Sequence, residues 1–211
     1  MSDQTPFAAL RQLVRDATQA AEEQCDLCSQ PIPVEHRHLL NLSSREIQCV
    51  CQACRILFDR RAAGGGTLKL IPTRYLRLNT FQLTDAEWTG LHLPVDMVFI
   101  TNNTLAGRVM AMYPGPMGPT ESLLSLETWG DMEKRNPILK EMEPDVEALL
   151  VNRVRGAREY FLVPIDECYK LVGLIRLHWR GLTGGQEVWK EINAFFAALK
   201  RHVPSSGEDD A

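Results

Sequence analysis

The chain has no apolar run near the roughly 18–20 residues needed to span a bilayer. Residues 1–24 mix acids and bases with alanines and lack the apolar core of a secretory signal, so a cytoplasmic protein is expected. Positive charge is not in excess: 23 Lys and Arg stand against 27 Asp and Glu, a net charge of −4. That argues against a dedicated nucleic-acid binder. Gly64-Gly65-Gly66 is followed by Thr67-Leu68 and not by Gly-Lys-Ser/Thr, so it is no phosphate loop. There is no internal repeat, and no Ser-His-Asp or metallohydrolase arrangement can be assembled from the residue pattern.

Cysteine is what the chain does have, and it is concentrated. Of six cysteines, five fall between positions 25 and 54. Cys25-Asp26-Leu27-Cys28 is one CxxC turn, and after 22 residues Cys51-Gln52-Ala53-Cys54 is a second. Each turn converges two sulfurs on one point, and two turns supply the four thiolates that structural zinc prefers. In a cytoplasmic setting such pairs hold metal or act in redox chemistry more readily than they form structural disulfides. Cys25, Cys28, Cys51 and Cys54 are therefore the expected metal ligands. Iron in a rubredoxin-like site is the competing metal. Knuckles of that kind usually carry glycine after the second cysteine, where this chain has Ser29 and Arg55, which favours zinc. Cys49 is the surplus member, able to replace Cys51 as ligand or to pack as a small hydrophobe.

Glu35-His36-Arg37-His38 lies between the two turns. His36 and His38 could hydrogen-bond to the ligands, replace a cysteine, or contact a partner. A CxxC, an acid-His pair and a second CxxC are also the skeleton of HNH-type nucleases, but those continue with His or Asn after the last cysteine and carry a basic face. Cys168 stands alone, ten residues from His178, and reads as a buried helix cysteine. Trp88, Trp129, Trp179 and Trp189 read as packing anchors, and the paired acids Glu141/Glu143 and Asp145/Glu147 as solvated surface.

Four segments follow from the pattern. Residues 1–24 carry apolar residues at helical spacing from Pro6. Residues 25–63 form the four-cysteine module, a treble-clef or zinc-ribbon-like unit with strands near Leu39–Leu42 and Glu46–Cys49 and a short helix after Cys51. Residues 67–203 form an α+β domain with a mainly antiparallel sheet. Residues 204–211 are a polar, acidic tail expected to be disordered. Within the larger domain, Leu68–Leu78 is strand-like with a bend at Pro72. Thr84-Asp-Ala-Glu87 is a capping box opening a helix. Val95–Thr101 and Arg108–Tyr113 are strands joined at Asn102–Thr104. Pro114–Pro119 is a rigid loop. Leu126–Met142 is helical with a break at Pro137. Val146–Val154 and Tyr160–Ile165 are strands, and Asp166 caps a helix to Trp179. A final helix, Gln186–His202, buries Val188, Ile192, Phe195, Phe196 and Leu199. Charge is uneven along the chain. Residues 25–80 hold eight basic and four acidic side chains, and residues 121–147 hold eight acidic and three basic, which could help two modules dock or steer different partners.

The stretches Cys25-Asp-Leu-Cys28, Pro33-Val-Glu-His-Arg-His-Leu-Leu40, Cys49-Val-Cys-Gln-Ala-Cys54, Tyr113-Pro-Gly-Pro-Met-Gly-Pro119 and Val163-Pro-Ile-Asp-Glu-Cys-Tyr169 resemble a bacterial family encoded beside NiFe hydrogenase genes. The resemblance covers roughly residues 20–200. That family has no established reaction, so the likeness implies a setting and no catalytic residue. It implies a non-enzymatic accessory or assembly factor binding a protein partner, either a hydrogenase subunit or a maturation factor. The proline- and glycine-rich loop Tyr113–Glu121 is the expected contact, pre-ordered at low entropic cost.

Overall fold

The computed structural model describes residues 23–58, 66–122 and 124–202. The expected N-terminal helix, most of the triple-glycine segment and the acidic tail lie outside these residues. The chain divides into two units, Met1–Leu70 and Ile71–Ala211. Both mix helix and strand, so the fold is α+β as the sequence implies.

The described part of the small unit opens on a turn. Cys25 donates its backbone N–H to the Gln30 carbonyl at 2.8 Å, and Ser29 donates to the Cys25 carbonyl at 2.8 Å. A hairpin follows, β1 (Arg37–Asn41) against β2 (Ile47–Val50), with His38 opposite Cys49 and Leu39 opposite Gln48. Its bend is held by the Asn41 side chain, whose Oδ1 accepts from the Ser43 N–H at 3.0 Å and the Ser44 N–H at 3.2 Å. Helix α1 (Gln52–Phe58) comes next. Strand β3 (Leu68–Leu70) then pairs antiparallel with β1, giving the sheet order β2-β1-β3. The strand-like run 68–78 is thus divided. Its first part completes the small sheet, and the chain divides after Leu70. Pro72 explains the division, because it has no N–H to continue a ladder.

The large unit is built on six antiparallel strands in the order β4-β9-β8-β5-β6-β7. These are β4 (Leu76–Arg77), β5 (Met97–Asn103), β6 (Arg108–Gly115), β7 (Gly118–Ser122), β8 (Glu147–Asn152) and β9 (Glu159–Pro164). All six residues of β8 are buried, because both faces of the sheet are covered. On one face Val98, Ile100, Leu149, Val151 and Leu162 pack with Trp88 of α2 (Asp85–Gly90) and with Trp129 and Met132 of α3 (Leu126–Arg135). On the other, Phe99 meets Tyr169 of α4 (Ile165–His178), with ring centroids 6.2 Å apart. Phe161 meets Phe196 of α5 (Gly185–His202) at 6.1 Å. Helix α5 buries Val188, Ile192, Phe195, Phe196 and Leu199, the face its periodicity marks. Trp88 and Trp129 are packing anchors, whereas Trp179 and Trp189 are only half-buried. Among the described residues no helix is long and apolar enough to cross a membrane.

Several local expectations change. Pro114–Pro119 is not a loop: β6 and β7 continue through it, with Pro114 opposite Pro119 and Gly115 opposite Gly118, so only Pro116 and Met117 turn. Gly118 makes this possible at φ +119°, a value side chains resist. The β5–β6 turn is Thr104–Gly107, because Asn102 and Asn103 remain in the ladder. Asp166 does not cap α4. Strand β9 runs directly into the helix, and Asp166 sits in its first turn, where its negative charge suits the helix N-terminus.

Two of the acids read as solvated are buried. Glu147, only 2% exposed, takes a bidentate clamp from Arg74: Nε at 2.9 Å to Oε1 and Nη2 at 2.7 Å to Oε2. The same Oε2 accepts the Glu143 N–H at 2.7 Å. Buried Asp145 accepts from the Thr104 N–H at 3.0 Å and its hydroxyl at 2.7 Å. Each carboxylate finds the donors its burial requires.

Candidate metal centre

The four cysteines of the two CxxC turns arrive from different elements. Cys25 and Cys28 sit on the N-terminal turn, Cys51 immediately precedes α1, and Cys54 lies in its first turn. Knuckle, hairpin and helix in that order are the parts of a treble clef. Ser29 closes the knuckle at φ +58°. It adopts the left-handed conformation that glycine usually supplies, so the turn forms without the glycine.

The four sulfurs lie within 4.8 Å of one another, and Cys28 and Cys51 are 3.6 Å apart, sulfur to sulfur. A tetrahedral ion bound at about 2.3 Å to each sulfur would have edges of about 3.8 Å, and a disulfide would be near 2.05 Å. All six cysteines are free thiols. The spacing fits a shared cation and is far too long for a bond. Cys25 and Cys54 are buried, and Cys28 is exposed.

Electrostatics divide the four. Burial pushes the Cys54 thiol well above the ordinary range, and the neighbouring thiols add to this. Burial also opposes ionisation of Cys25, but hydrogen bonds from the backbone of Cys51, Leu27 and Cys28 outweigh it and bring its pKa down to about 6. The Cys54 N–H also points at the Cys51 sulfur, at 3.4 Å. The cluster carries amide donors for thiolate charge, yet without a cation four adjacent sulfurs resist full ionisation together.

Among the described residues the apolar core around the sulfurs is small. Ile32, Leu39 and Val50 are buried with Cys25 and Cys54, and Leu27, Phe58, Leu68 and Leu70 pack against them in part. With so little apolar interior among the described residues of this unit, an ion held by the four sulfurs would contribute folding free energy directly.

Cys49, His36 and His38 do not join the four. They form a group of their own, with ligand atoms also within 4.8 Å of one another. Strand alternation sets His38 and Cys49, which are register partners, on the face opposite Leu39 and Val50, and Cys49 also packs in part against the core around the four cysteines. Burial raises the Cys49 thiol pKa, and Asp26 and Glu23 raise it further. The pairing of an H-x-H segment with a cysteine across a hairpin was readable from the sequence only once the register was known. Cys168 is fully buried in α4, and its thiol is pushed well up by that burial, which suits packing and not nucleophilic attack.

Comparison with known proteins gives a family and no activity. The family DUF5947, described as a family of unknown function, matches residues 24–203, and the chain belongs to it. No curated protein and no solved structure matches the chain.

Proposed function

We propose that this member of DUF5947 is a non-enzymatic accessory or assembly factor that binds a protein partner, with zinc as the staple of its small unit. The observation that carries this reading is the four-sulfur cluster. Four protein ligands fill a tetrahedral shell and leave no position for substrate, the signature of a structural site and not a catalytic one. The resemblance to proteins encoded beside NiFe hydrogenase genes supplies the setting, and a hydrogenase subunit or maturation factor is the proposed partner, in the cytoplasm.

The proposed contact is the β6–β7 hairpin. Its tip carries Met117, 93% exposed, on a turn stiffened by Pro114, Pro116 and Pro119. Strand β7 ends the sheet order, so the tip belongs to an edge that prolines protect from indiscriminate pairing. A pre-ordered apolar tip loses little entropy on docking. Replacing Pro116-Met117 by Gly-Ser should reduce co-purification with the hydrogenase subunits, with zinc content unchanged. Full retention of the complex would refute the contact.

A rubredoxin-like iron centre is the second reading, favoured by one observation. Ser29 gives the first knuckle its left-handed residue without glycine, so amide donation to sulfur, which stabilises iron–thiolate centres, is available here. Purified protein that is red with thiolate-to-iron bands selects iron, and colourless protein carrying one zinc selects the structural role.

A further inference from the structure

We infer that His36, His38 and Cys49 form a second metal site, separate from the four-cysteine cluster, for a divalent transition ion of the zinc class. The three residues place a ligand atom each within 4.8 Å of the others. His36 and His38 stand edge to face, with ring centroids 4.9 Å apart, and His38 faces Cys49 across the hairpin. His38 and Cys49 are thus carried by adjacent paired strands, a rigid support for ligands, and His36 lies one residue before β1.

The state of the His36 ring points to a cation. Its side chain is only 8% exposed. Nδ1 lies 2.9 Å from the Pro33 carbonyl and 3.5 Å from the Glu23 carboxylate. A carbonyl only accepts, so Nδ1 carries the proton, and in the neutral ring Nε2 presents a lone pair. That Nε2 is buried and, among the described residues, has no hydrogen-bond partner. A buried acceptor without a donor is costly, and an ion bound at Nε2 removes the cost. One ring nitrogen held by a carbonyl and an outer carboxylate while the other faces the ion is the arrangement that orients metal-bound histidines.

The donor set selects the ion. Two imidazoles and one thiolate suit zinc, cobalt, nickel or copper and not calcium or magnesium. Binding releases the Cys49 thiol proton to solvent. Three protein ligands leave the fourth tetrahedral position to water or to a side chain of a partner. This site does not depend on the accessory-factor reading.

The test is metal stoichiometry on the full chain, with Zn2+ as probe and a chromogenic chelator as competitor. The wild-type chain should take a second, more exchangeable equivalent beyond the four-cysteine one. His36→Ala/His38→Ala should lose the second equivalent and keep the first. A wild-type chain that saturates at one equivalent in excess Zn2+ overturns the site, as does a variant that still binds two. Should the variant fail to fold, Co2+ titration of the unmodified chain decides. A later-filling ion with a weaker, single-thiolate charge-transfer band supports the site, and saturation at the four-thiolate spectrum alone removes it. Absence of any bound metal would sink both centres, whereas loss of the second equivalent alone would sink only this one.

Discussion

Asp26 and Cys49 hold each other by two hydrogen bonds. The Asp26 carboxylate accepts the Cys49 backbone N–H at 2.6 Å, and the Asp26 N–H donates to the Cys49 carbonyl at 2.9 Å. This pair ties the knuckle bearing Cys25 and Cys28 to the strand that leads into Cys51 and Cys54. Asp26→Ala removes the acceptor and loosens the approach of the two turns. Metal affinity should fall about 10–100-fold, the usual cost of losing a supporting partner around a metal site. Chelator competition measures it, and an affinity equal to wild type would show that the pair is dispensable.

Metal removal should act on one unit. Stripping the four-cysteine cluster, or making Cys25→Ser/Cys54→Ser, should expose residues 23–58 to proteolysis and rapid hydrogen exchange. Protection in β8 and β9 should persist, because the large unit has its own core. Parallel loss of protection in both units would contradict this.

The Arg74–Glu147 clamp predicts an asymmetric mutational response. Arg74→Leu leaves Glu147 buried without its cation. A cost of about 2 kcal/mol is expected, below the range for fully buried pairs, because Arg74 is 37% exposed and water can reach the gap. Arg74→Leu/Glu147→Leu should recover part of the loss. Urea midpoints compare the variants, and a double variant less stable than the single would argue against the mechanism.

Asn136 closes a second buried link. Its Oδ1 accepts the Gln82 N–H at 2.8 Å, and its Nδ2 donates to the carbonyls of Gln82 and Met132, each at 2.9 Å. Asn136→Ala orphans the Gln82 N–H and carbonyl, while the Met132 carbonyl keeps the backbone N–H of residue 136, and it should cost about 1–3 kcal/mol, read as a lowered melting temperature. Asn136→Asp keeps the acceptor and loses the donors, so it should fall short of full recovery.

Gly118→Ala tests the hairpin. Nothing lies within 4 Å of the added methyl, so the whole cost is conformational at φ +119°. About 1–3 kcal/mol is expected, with the tip at Met117 frayed in hydrogen exchange while the sheet centre stays protected.

The legible parts of this fold were those set by local chemistry. Thr84 and Glu87 form the capping box their spacing announces, and α5 buries the five residues its period selects. The four-cysteine cluster was legible because CxxC constrains geometry within four residues. What stayed hidden depended on distant partners. Proline and glycine at 114–119 suggest a loop by composition, yet the pairing of β6 with β7 overrides it. Glu147 looks like a surface acid until Arg74, far away in sequence, supplies its counter-charge. The separate grouping of His36, His38 and Cys49 needed the β1–β2 register, which neither segment states alone.

The placement of β4 has a consequence for how the chain is made. Leu76 pairs with Leu162 and Arg77 with Phe161, so an early strand of the large unit waits for one of the last. That unit cannot close its sheet until β9, which ends at Pro164, has left the ribosome. The four sulfurs, by contrast, are all present by residue 54. An ion captured there would give the emerging polypeptide an ordered head while the remainder is still being synthesised.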